Sequence, residues 1–101
     1  MLVADSCHQE GLDVHKPSEG LTKRLAGRLP AYASLQNPID MTANVIFDPK
    51  LIASIVRDAM ASGEYDATIL CVNLMWRQGE ALAEQLLSVA QATQKIPAVA
   101  W

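Results

Sequence analysis

This chain has little that would carry it to a membrane, a nucleic acid or an oxidising compartment. No apolar run approaches the ~20 residues that span a bilayer, so no transmembrane helix is expected. Met1-Leu2-Val3-Ala4 meets Asp5, His8 and Glu10 too soon to form the apolar core of a secretory signal. Basic charge is scarce: the formal net charge is −3, whereas a nucleic-acid or anionic-membrane surface needs a basic face. Cysteine is almost absent. Cys7 and Cys71 lie far apart in apolar-patterned segments, make no disulfide framework, and read as buried reduced thiols. Cys7-His8 with His15 nearby matches no zinc spacing, because adjacent helical residues point ~100° apart. No metal site is expected. There is no internal repeat, low-complexity tract or linker. These absences predict a soluble, cytoplasmic chain.

What is present is ordinary globular material. The 101 residues are 50% hydrophobic and 19% charged, enough for one small domain with a modest core.

Hydrophobic spacing predicts helices alternating with strands. Leu2 to about Glu10 reads as a helix, with Val3, Ala4 and Cys7 at helical spacing and Gly11 in the stop position. Leu12-Asp13-Val14 is a short alternating strand candidate. Ser18 caps a second helix on which Leu21, Leu25 and Leu29 recur until Pro30 ends it. Asp48-Pro49 opens a third helix, a capping residue followed by proline at the first helical position. Its apolar stripe is Leu51, Ile52, Ile55, Val56, Ala59 and Met60, and Gly63 closes it. Ala67 to Leu74 is an unbroken apolar, β-rich run, the pattern of a strand buried on both faces. A fourth helix follows over about Gln78–Thr93, with Leu82, Leu86, Leu87 and Ala90 on one side, and Ile96–Trp101 reads as a final buried strand. This order predicts right-handed crossovers and a parallel sheet.

The stretch Ser34–Thr42 breaks the rhythm. Pro38 denies Asn37 the α region, so the chain must run extended or turn there. Asn37, Asp40 and Thr42 are residues whose short polar side chains bond nearby backbone groups. Loops between strands and helices are where α/β proteins place ligands. Asn37, Asp40 and Thr42 are therefore the candidate substrate-binding residues, and the same pattern also suits a loop that merely satisfies itself. His8 and His15 read as solvent-facing, Glu80 and Glu84 as a solvated helix face, and Trp76 with Arg77 as packing at a domain interface.

The whole arrangement resembles one family. Gly11-Leu12-Asp13-Val14, Leu29-Pro30, Asp48-Pro49, Tyr65-Asp66-Ala67 and Ile96-Pro97-Ala98-Val99-Ala100-Trp101 fall in the order seen in acyl-CoA synthetases that form a nucleoside diphosphate, relatives of succinyl-CoA synthetase. Between them, Ala33-Ser34-Leu35-Gln36-Asn37-Pro38-Ile39-Asp40 matches the family's Ala-Ser-x-x-Asn-Pro-x-Asp loop at every fixed position. The resemblance is to the second flavodoxin-like domain and covers nearly all of residues 1–101. It implies a doubly wound parallel sheet, here incomplete, with the first strand and C-terminal elements missing, as in a piece of a larger protein. It also implies a parent that uses ATP or GTP, Mg and CoA, and that carries phosphate on a histidine in another domain. Helix N-termini suit that anion through their free N–H groups and partial positive charge. By the resemblance Asn37 is a hydrogen-bond donor to substrate or phosphate, and Asp40 fixes the loop. No catalytic residue and no cofactor site is implied within this chain.

Three departures shape the expectation, the first being that the family's glycine-rich loop, which should precede Met1, is absent. Neither His8 nor His15 matches the phosphate-carrying histidine, and Leu74-Met75-Trp76-Arg77-Gln78 stands where succinyl-CoA synthetases place a glycine pair. The alternative is a non-catalytic, ligand-sensing domain of the kind fused to protein acetyltransferases. The expected partners are the CoA-binding and ATP-grasp domains of the parent. A homodimer of this piece is also expected, because a missing first strand leaves sheet edges unpaired.

Overall fold

The computed structural model describes residues 2–41, 48–72, 79–95 and 97–100. The chain divides into two compact units, Met1–Thr42 and Ala43–Trp101. The described elements make an α/β protein, with helices α1 (Leu2–Gln9), α2 (Glu19–Ala26), α3 (Pro49–Ala61) and α4 (Gly79–Thr93), and strands β1 (Ile69–Cys71) and β2 (Ala98–Ala100).

In the first unit, α1 half-buries Val3, Ala4 and Cys7, the stripe expected from their spacing. It ends in a Schellman arrangement: Leu12 N–H donates to the Cys7 carbonyl at 2.9 Å and Gly11 N–H to the His8 carbonyl at 3.1 Å. That closure needs a left-handed residue, and Gly11 supplies it with φ of 83°. The expected strand at Leu12–Val14 does not form. Residues 12–18 have no regular structure, and Leu12 is 58% exposed. A strand exists only through pairing, and three alternating residues without a ladder partner specify nothing.

α2 begins as its sequence requires, with the Ser18 hydroxyl accepting from Leu21 N–H at 3.2 Å. It ends at Ala26, earlier than the leucine spacing predicts. Gly27 is a weak helix former, and Pro30 disfavours the helical conformation at Leu29. Leu21 and Leu25 are fully buried and Leu29 nearly so. The apolar stripe thus outlasts the helix that carries it.

The second unit is built on α3 and α4, which pack together. Asp48 caps α3 by accepting from Leu51 N–H at 3.0 Å, with Pro49 at the start of the helix. Ile52, Ile55, Val56, Ala59 and Met60 are buried as expected, whereas Leu51, assigned to the same stripe, is only half-buried. Gly63 leaves the helix at φ of 75°. α4 buries Leu82, Leu86 and Val89, the i, i+4, i+7 set. Leu87, expected on that face, is 64% exposed, because it lies about 100° around the helix from Leu86. Lys95 crosses from the end of α4 to donate to the Met60 carbonyl at 3.0 Å, a cation on the last turn of α3.

β1 and β2 pair in parallel, with Ile69 opposite Ala98, Leu70 opposite Val99 and Cys71 opposite Ala100. With α4 between them they form a β-α-β unit. The expectation that β1 is buried on both faces is corrected. Leu70 is buried, but Ile69 is 44% exposed and Cys71 is exposed, so among the described residues that face of β1 is not covered. Cys71 is therefore no buried thiol, and Cys7 is only half-buried. Apolar composition alone records what a strand tolerates, not whether something covers it. The expected strand positions at 73, 74, 96 and 101 lie outside the described residues.

Candidate functional site

The loop that breaks the helix–strand rhythm folds back on itself. Ala33 N–H donates to the Pro30 carbonyl at 3.0 Å, turning the chain after α2. Ser34 and Asp40 then form an isolated antiparallel bridge, with Asp40 N–H donating to the Ser34 carbonyl at 2.9 Å. The bridge pinches residues 35–39 into a closed turn, with a cis peptide bond between Asn37 and Pro38.

Asn37 sits midway round this turn and is half-buried. Its side-chain nitrogen donates to the His15 carbonyl at 3.2 Å, joining the loop to the segment that leads into α2. His15 also lies beside Asp13, with Nδ1 3.3 Å from Oδ2. Asp40 is exposed and enters the loop through its backbone as half of the bridge. Thr42 lies outside the described residues. Of the candidate residues, Asn37 and Asp40 thus share one closed turn.

Beside the turn is an open groove of about 320 Å³ lined by Lys16, Pro17, Thr22, Ala33, Leu35 and Gln36. It combines a cation, a hydroxyl and an amide with three apolar side chains, and none of the described lining residues is a carboxylate. No local sequence pattern marks Lys16, Thr22 and Gln36 as neighbours. Lys16-Pro17-Ser18 does place a cation just before a capped helix start. A second cavity, in the other unit, is about 20 Å³ and is lined by Met60, Tyr65, Asp66, Ala67, Thr68 and Lys95. It has room for about one water molecule.

Among the described residues, no three His, Cys, Asp or Glu side chains come together in a way that could hold a metal ion. His8 and His15 are both exposed, as are Glu80 and Glu84 on α4. No described helix is long and apolar enough to cross a membrane. No family model, no curated protein and no solved structure matches the chain.

Proposed function

We propose that this chain is part of the second flavodoxin-like domain of a nucleoside-diphosphate-forming acyl-CoA synthetase, to which it contributes a substrate-side loop. In such an enzyme a carboxylate, CoA and ATP yield acyl-CoA, ADP and phosphate, with phosphate carried on a histidine of another domain. The observation that carries the reading is the Ala33–Asp40 loop. Its sequence agrees with the family pattern at each fixed position, and its residues form a closed turn with Asn37 midway between the bridged Ser34 and Asp40. The order α3, β1, α4, β2, with the strands parallel, supports the doubly wound architecture.

In this reading Asn37 has two duties. A primary amide offers two N–H donors and a carbonyl acceptor. One N–H holds the turn to His15, and the second N–H donates to an anionic substrate group. Asp40 closes the loop and does no acid–base chemistry. The acid–thiol ligation itself belongs to groups elsewhere in the parent protein, which binds ATP or GTP, Mg and CoA.

A second reading, a ligand-sensing domain fused to a protein acetyltransferase, is favoured by Leu74-Met75-Trp76-Arg77-Gln78 in place of a glycine pair. The complete reading frame of the gene separates the two. A phosphohistidine domain and an ATP-grasp module beside this segment support the ligase. An acetyltransferase domain supports the sensor. A frame with none of these removes both.

A further inference from the structure

We draw no further inference here: the strongest candidate, the open apolar face of the β1–β2 sheet at Ile69, Cys71 and Ala98, carries nothing because nothing in the structure shows what covers it.

Discussion

The side-chain amide of Asn37 donates to the main-chain carbonyl of His15 at 3.2 Å, across 22 positions of sequence. Replacing Asn37 with alanine removes that solvent-exposed bond. The expected loss is about 0.5–1.5 kcal/mol of unfolding free energy, the net worth of one ordinary hydrogen bond. Urea titration of Asn37→Ala against the parent sequence checks it.

Helix caps are a separate test of the local account. Ser18 and Asp48 each accept a backbone N–H of the first helical turn. Ser18→Ala and Asp48→Ala are each expected to lower stability by about 1 kcal/mol, while replacement by glycine loses only a few tenths. Thermal or chemical melts of the four variants measure the difference.

Packing predicts a sharper contrast on one helix. Leu82 is 1% exposed and Leu87 is 64% exposed. Leu82→Ala is expected to destabilise by about 2–5 kcal/mol. Leu87→Ala, a surface change, is expected to stay within about 0.5 kcal/mol of the original. Equal losses at both positions would mean that something covers the Leu87 face in solution.

How far the sequence carried the fold can be read from these same residues. Ser18 and Asp48 act through side chains that reach only the next helical turn, and Pro49, Gly11 and Gly63 act through their own backbone, so these roles were legible locally. The stripe on α3 was legible because it repeats over several turns. Leu87 and Leu12–Val14 were not, because a single apolar residue or a three-residue alternation does not say which neighbour it meets. Exposure of Ile69 and Cys71 was hidden for the same reason: burial of a strand depends on what lies above it. At the candidate site, Pro38 and its polar neighbours announced an irregular loop. The reach of Asn37 to His15, and the Lys16, Thr22 and Gln36 lining, depend on chain reversals that no local pattern encodes.

The cysteines differ in accessibility, and that difference is measurable. Cys71 is exposed and Cys7 half-buried. A thiol reagent such as dithiobis(nitrobenzoate) is expected to modify Cys71 in a fast phase and Cys7 more slowly, because access is one of the factors that set thiol reactivity. Cys71→Ser should abolish the fast phase. Persistence of that phase in the variant would assign it to Cys7 and contradict the open sheet face.

The proposed role is tested most directly by assaying the protein expressed from the complete reading frame for ADP formation from ATP with CoA and short carboxylic acids. Turnover that requires both CoA and the acid is the predicted result. Asn37→Ala should then reduce it about ten- to a hundredfold, the loss of one hydrogen bond to a charged group, about 1.5–3 kcal/mol. The 101-residue chain alone should release no ADP above background, since the ligation chemistry is assigned to other domains. Folded full-length protein that forms no ADP with any acid offered, or turnover unchanged by Asn37→Ala, would contradict a substrate-side role for this loop.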